Sequence, residues 1–168
     1  AHRMDDELDT GDIVLQRAIP IGSTDTGTDL VRATIDLIPE VLLESLDLIE
    51  RGVASWTPQD LDERTFFHKR SARDSIIDWR WSAAELDRFV RALSDPYPNA
   101  VTYYRGERIR VVKASVSRYR YGGTPGRVFI KEGDGMVIVL SGDVPLTQAD
   151  TLRALVDAGG AVLGPLRA

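Results

Sequence analysis

Between residues 28 and 50, apolar side chains recur at Ile35, Ile38, Leu42, Leu46 and Ile49, in steps of three and four. That spacing is the period of an α-helix and of no other regular structure. It commits this part of the chain to one long amphipathic helix. Ser23, Thr24 and Asp25 precede it with side-chain oxygens suited to a helix N-terminus. Gly52 follows it, where glycine closes a helix in the left-handed conformation. Pro39 falls inside the run. It either kinks the helix or opens a second one, because it has no N–H to give to the preceding turn.

The residues before the helix, Ile13-Val14-Leu15, read as a buried strand over residues 13–18 that Pro20 ends. A strand followed by a long amphipathic helix is the tail of an α/β unit. Residues 53–74 carry weak periodicity and read as a connection, with Trp56, Phe66 and Phe67 expected to pin it to a core. The polar run 68–74 places a domain boundary near Asp74, giving domains 1–74 and 75–168. The second domain opens on Ile76-Ile77-Asp78-Trp79. Ser82 with Glu85 three residues later is a capping box, and a helix follows with Leu86, Phe89, Val90 and Leu93 on one face. Asp95-Pro96-Tyr97-Pro98-Asn99 breaks that helix. Short strands separated by Gly and Pro turns come next, and Thr147 reads as the cap of a last helix over residues 148–157. About five strands with a helix predict a small β-barrel.

Several function classes are excluded or disfavoured. The chain has no Cys, so it has no disulfide, no thiolate nucleophile and no Cys metal site. His2 and His68 are its histidines, and their separation makes no metal pair; no metal site is expected. No apolar run approaches the roughly 18–20 residues of a membrane helix, and no signal peptide is visible. A soluble cytoplasmic protein without a membrane partner is the expectation. A net charge of −5 opposes sequence-independent binding to a phosphate backbone, although it permits a local basic patch. At 168 residues there is room for one large or two small domains.

Two stretches concentrate charge. Asp5, Asp6, Glu7 and Asp9 lie just before the Ile13 strand, with Gly11 between as a tight or positive-φ turn. Such a cluster is self-repelling; it is either a solvated turn or a loop that uses its carboxylates. Arg105, Arg108, Arg110, Lys113, Arg118 and Arg120 mix with Tyr103, Tyr104, Tyr119 and Tyr121. That mixture suits nucleic acid or a phosphate-bearing substrate, and it equally suits a solvated sheet face, because Arg108 and Arg110 alternate with Ile109 and Val111.

The pattern His2-x-x-x-Asp6-Glu7-Leu8-Asp9-x-Gly11-x-x-Val14-x-Gln16 resembles the signature of the 10-formyltetrahydrofolate-dependent formyltransferases. Asp25-Thr26 and Pro39 are similar to the same group. Arg70-x-x-x-Asp74-Ser75-x-x-Asp78-Trp79 resembles the interdomain segment of its sugar-nucleotide members. Ile77-Asp78-Trp79-x-x-Ser82-Ala83-Ala84-x-Leu86-x-Arg88, Pro96-Tyr97-Pro98, Lys113-Ala114-Ser115-Val116 and Pro125-Gly126 resemble the C-terminal domain of methionyl-tRNA and sugar formyltransferases. The implied architecture is the α/β tail of a Rossmann-like formyltransferase domain followed by a small OB-like β-barrel.

The resemblance implies attack of a substrate amine on the formyl carbon of 10-formyltetrahydrofolate, assisted by an Asn, a His and an Asp. Asp9 takes the place of that Asp. Met4, Asp6, Glu7, Leu8 and Asp9 take the place of the loop that wraps the pteridine ring, and His2 corresponds to a histidine outside the catalytic three. The family's Asn-x-His motif occurs nowhere in the chain. The expectation is that it belongs to an N-terminal half not contained here and that this chain alone lacks transferase activity. Of the amine substrates implied, an amino sugar nucleotide comes first. Methionyl-tRNA comes second, with tRNA as a partner, and an amino-acid or peptide amine third. A non-catalytic interaction module is the reading from a different class.

Overall fold

The computed structural model describes residues 1–104, 106–117, 123–132, 135–139 and 151–157. Its elements are helix α1 (Gly27–Glu50), a 3-10 turn (Ala72–Ser75), helix α2 (Ala83–Ala92) and strands β1 (Ala100–Tyr104), β2 (Glu107–Val116), β3 (Val128–Glu132), β4 (Gly135–Val139) and β5 (Thr151–Asp157). The chain divides into two units, Ala1–Ser23 with Asp29–Lys69, and Thr24–Thr28 with Arg70–Ala168.

Helix α1 is continuous through Pro39. Its end is a Schellman motif: Gly52 adopts φ 68°, its N–H donates to the Ile49 carbonyl at 3.0 Å, and the Val53 N–H reaches back to Leu48 at 3.1 Å. The inward face differs from the expected one. Leu37, Val41 and Leu48 are half-buried and Ser45 is buried, whereas Ile35, Ile38, Leu42, Leu46 and Ile49 are exposed. The helix carries apolar residues on two sides, so its strongest periodic stripe did not identify the side that packs.

The predicted strand over residues 13–18 is also absent as such. Residues 14–18 form no named strand, and Ile13 makes isolated antiparallel bridges to His2 and to Thr57. A strand needs a ladder along its length, and among the described residues of 13–18 the bridges are confined to Ile13, with Val14 and Leu15 meeting only Ala1. Of the aromatic residues expected to pin the connection, Trp56 is half-buried beneath the Arg3 guanidinium, 4.4 Å from the ring centre, while Phe66 and Phe67 are exposed.

In the second unit the strands make one antiparallel sheet in the order β1-β2-β5-β4-β3. Among the described residues no pairing joins β1 to β3, so the sheet is seen without the closure a barrel needs. Strand β5 corrects the sequence reading, which placed a helix over residues 148–157. Leu152, Leu155 and Val156 satisfy helical spacing, but Thr151–Asp157 lies between β2 and β4 and pairs with both. Two flanking strands decide the state, as tertiary pairing outweighs local propensity in a central strand.

Strand β2 buries Ile109, Val111 and Ala114 and exposes Arg108, Arg110, Val112 and Lys113. The step from two to three follows from a register irregularity between Val111 and Lys113, which inserts one residue and re-aims the strand. Helix α2 covers this face, with Leu86, Val90 and Leu93 fully buried against Ala100, Val111, Ala114 and Ile138. Each such aliphatic side chain contributes about 1.5–3 kcal/mol on burial. The predicted capping box is present: Ser82 Oγ accepts the Glu85 N–H at 3.3 Å, and Glu85 Oε2 accepts the Ser82 N–H at 2.9 Å. The segment Thr24–Thr28 is tied to the end of α2. Ser94 Oγ accepts the Thr28 N–H at 3.0 Å, and Arg91 donates to the Asp25 carbonyl.

Candidate functional site

The acidic stretch is a loop over residues 4–10 closed at its base by backbone pairing. His2 bridges Ile13, the Arg3 N–H donates to Asp12 at 2.9 Å, and the Val14 N–H donates to Ala1 at 3.0 Å. At the tip, Asp5 Oδ1 accepts the Glu7 N–H at 3.3 Å and the Thr10 hydroxyl at 2.7 Å. This is a side-chain-made turn of the kind Asp favours, and it consumes one carboxylate of the cluster for local structure. Glu7 lies 4.0 Å from Arg64, an exposed pair of little energetic weight. Asp6 and Glu7 are exposed, as are the apolar side chains of Met4 and Leu8, at 88% and 89%. A loop that turns two large apolar side chains and several acids outward offers both a hydrophobic surface and hydrogen-bond acceptors to a ligand.

Asp9 holds the left-handed conformation, φ 56°, rather than Gly11, to which the sequence reading gave that turn role. Its carboxylate is 78% exposed and stands 3.7 Å from His2 Nε2. His2 Nδ1 is 2.9 Å from the Arg3 carbonyl oxygen. A carbonyl can only accept, so Nδ1 is the donor in this contact and Nε2 is the ring atom turned toward Asp9.

One residue that sequence reasoning did not single out belongs to this site. The half-buried Gln59 side chain donates from Nε2 to the Asp9 carbonyl at 3.0 Å and to the Gly11 carbonyl at 2.7 Å. A single Gln after a Pro carries no signal of its own, and its partners lie some fifty positions earlier in the chain.

The second unit presents the basic stretch. Register places Tyr103 opposite Arg108 and Val101 opposite Arg110. Tyr103, Arg108, Arg110 and Lys113 are exposed, and Tyr104 is half-buried. Arg105, Arg118, Tyr119, Arg120 and Tyr121 lie outside the described residues. No cluster of three or more His, Asp or Glu side chains suited to a metal is found among the described residues. No helix there is long and apolar enough to cross a membrane.

Comparison with known proteins gives a consistent answer. Residues 69–150 match the formyl transferase, C-terminal domain, family model. The chain is 30% identical over 171 residues to a methionyl-tRNA formyltransferase of Marinobacter nauticus, covering 97% of this chain and 55% of that protein. It is 35% identical over 136 residues to the methionyl-tRNA formyltransferase of Coxiella burnetii, covering 81% and 43%. The chain thus spans about half the length of the curated relatives it matches. Among solved structures, the N-formyltransferase of Helicobacter canadensis in complex with folinic acid and dTDP-3-aminofucose superposes with a TM-score of 0.67 at 16% identity, over 93% of this chain and 54% of that one. HypX of Aquifex aeolicus superposes with a TM-score of 0.64 at 22% identity, over 95% and 29%. At these identities the structures speak for the fold. Family model, sequence relatives and fold agree: the chain belongs to the formyltransferase family, and the part it corresponds to is the C-terminal part.

Proposed function

We propose that this chain works within an enzyme that moves the formyl group of 10-formyltetrahydrofolate, the donor used by its family, to the amino group of methionyl-tRNA. The observation that carries the reading is the similarity to methionyl-tRNA formyltransferases across 97% of the chain. The exposed Arg108 opposite Tyr103, with the exposed Arg110 and Lys113 farther along the same strand, supports it, since cations near an aromatic ring suit a phosphate backbone and its bases. In this reading the domain boundary lies near Asp74, and the sheet of the second unit is the wall of an OB-like barrel.

The amine attacks the formyl carbon, its C–N bond forms as the bond from formyl carbon to the folate nitrogen breaks, and the amine proton ends on that nitrogen. The balance requires a base for the amine proton, and we assign it to Asp9, acting with water. Met4, Asp6, Glu7 and Leu8 are placed against the pteridine ring, the apolar side chains on its face and acceptors toward its N–H groups. His2 takes no direct part.

An amino sugar nucleotide is the second reading. The likeness of Arg70, Asp74 and Trp79 to the sugar-nucleotide members favours it, as does the fold shared with the Helicobacter canadensis enzyme. The deciding experiment supplies the full-length gene product with 10-formyltetrahydrofolate and, separately, methionyl-tRNA and a panel of dTDP- and UDP-linked amino sugars. Formyl transfer to tRNA alone is expected. Transfer to a sugar alone replaces the first reading by the second, and transfer to neither, with a folded protein, removes both.

A further inference from the structure

We infer that Gln59 is a positioning residue for the Asp9 carboxylate, acting through the backbone of the loop rather than by touching the carboxylate. The inference rests on the reading of Asp9 as the reacting carboxylate.

The Asp9 side chain is 78% exposed, and the neighbouring His2 Nε2 stands at 3.7 Å, beyond hydrogen-bond length. The carboxylate therefore inherits its place from the main chain. That main chain is in the left-handed region at φ 56°, which Asp enters more readily than most non-glycine residues but still at a cost, so contacts to the neighbouring peptides matter for keeping it there. Gln59 supplies the hold. A primary amide nitrogen has two hydrogens, and Nε2 directs them to the carbonyls of Asp9 and Gly11, at 3.0 and 2.7 Å, bracketing Thr10. One nitrogen thus fixes two peptide planes beside the carboxylate.

Gln59 is itself anchored from the same segment. Two residues earlier, the Thr57 N–H donates to the Ile13 carbonyl at 2.9 Å and the Ile13 N–H donates to the Thr57 carbonyl at 2.8 Å. The loop is thus gripped on one side at Ile13 and at residues 9 and 11 by a single short strap, residues 57–59. The strap's end needs a side chain that donates twice, which the Gln59 amide does. Glutamate at this position has no hydrogen to donate and turns an acceptor toward two acceptors, and alanine has no polar atom.

The test is steady-state kinetics on the full-length gene product carrying Q59A, Q59E, D9N and the D9N/Q59A pair. For Q59A and Q59E, kcat is expected to fall between about tenfold and a hundredfold, the scale of a misplaced reacting group. KM for donor and amine is expected to stay within about twofold, the pattern of an interaction felt at the reacting centre alone. On the D9N background Q59A is expected to remove nothing further, because two residues acting through one group are not additive. Wild-type kcat in Q59A, a loss confined to KM, or the full Q59A loss repeated on D9N overturns the inference and leaves the function standing. Full activity in D9N overturns the assignment of Asp9 and the inference with it. If Q59A is inactive through disorder, backbone chemical shifts decide the matter. Asp9 leaving the left-handed range while Ile13 and Thr57 keep their shifts supports the inference, and loss of all three together overturns it.

Discussion

The carbonyl oxygen of Arg3 lies 1.9 Å from where a Cβ on Gly11 would stand, and the Arg3 carbonyl carbon lies at 2.7 Å. Both obstacles are backbone, so neither swings aside. The close approach is what lets the two arms of the acidic loop pair at its base. Gly11→Ala is therefore expected to force the arms apart and cost roughly 1–3 kcal/mol, as overpacking at a rigid site does. Amide exchange reads it directly: the Arg3 and Val14 N–H groups, which donate across the base, lose protection while α2 keeps its own. Unchanged protection at Arg3 and Val14 contradicts the account.

Ser82 and Glu85 exchange hydrogen bonds at the start of α2, and the Glu85 carboxyl is held below its ordinary value, first by the Ser82 hydroxyl and then by the Ser82 N–H. Ser82→Ala removes the hydroxyl and is expected to cost about 1 kcal/mol, the usual weight of an N-cap. The Glu85 titration moves up toward the ordinary glutamate value in the same variant. Both are measurable, one by urea unfolding and the other by carboxyl NMR, and a variant with wild-type stability rules out the cap as a contributor.

How much of this was legible in the sequence depended on the range of the interaction that decides each element. Helix α2 was legible because its signals are local: a Ser–Glu pair three apart and an apolar face at Leu86, Val90 and Leu93. The β1–β2 hairpin was legible because Arg108 and Arg110 alternate with Ile109 and Val111. Strand β5 was not, because Leu152, Leu155 and Val156 satisfy helical spacing and only pairing with β2 and β4 overrules it. Helix α1 was legible as a helix but not in its orientation, since Leu37, Val41 and Leu48 form a second stripe. The acidic loop announced itself by charge, and its likeness to a known signature singled out Asp9. Gln59 had no signal at all, because a side-chain amide reaching two distant carbonyls leaves no mark on composition or period.

Asp78 is held at about 2, from an ordinary 3.8, chiefly by the Arg80 side chain, whose Nε lies 2.8 Å from Oδ1, and next by the Arg80 N–H. A depressed carboxyl contributes stability that is present above the unfolded value and lost as pH falls through the folded one. The window is therefore from 3.8 down to about 2. In Arg80→Ala the Asp78 midpoint is expected to rise toward 3.8, and the acid limb of the stability curve over that window to flatten. The pair is solvent-exposed, so the shift in midpoint is the larger signal and the change in stability is small. An Asp78 midpoint that stays put in the variant excludes the guanidinium as the cause.

Leu86 is 0% exposed, while Leu42 on α1 is 52% exposed. Leu86→Ala is expected to cost about 2–5 kcal/mol, because it leaves a cavity beneath the sheet that neighbours fill only in part. Leu42→Ala is expected to stay within about 0.5 kcal/mol in this chain, as at a surface position. Urea unfolding of the two variants separates these outcomes. A large loss from Leu42→Ala shows that the outer stripe of α1 is covered in solution.

Asn99 is buried, at 6% exposure, in the left-handed conformation with φ 62°. Its N–H and its side-chain Nδ2 both donate to the Leu93 carbonyl, at 3.0 and 3.1 Å, so one residue satisfies the end of α2 twice and turns the chain into β1. Asparagine is among the few side chains that tolerate this backbone region and can also hydrogen-bond locally. Two substitutions separate the contributions. Asn99→Gly keeps the backbone at ease and removes only the side-chain bond, for an expected cost of about 1 kcal/mol. Asn99→Ala removes the same bond and adds the strain of a Cβ at positive φ, for roughly 1–2 kcal/mol beyond the glycine variant. Equal stability of the two variants in urea unfolding shows that the backbone conformation contributes nothing. A glycine variant as stable as the native chain shows the same of the side-chain bond.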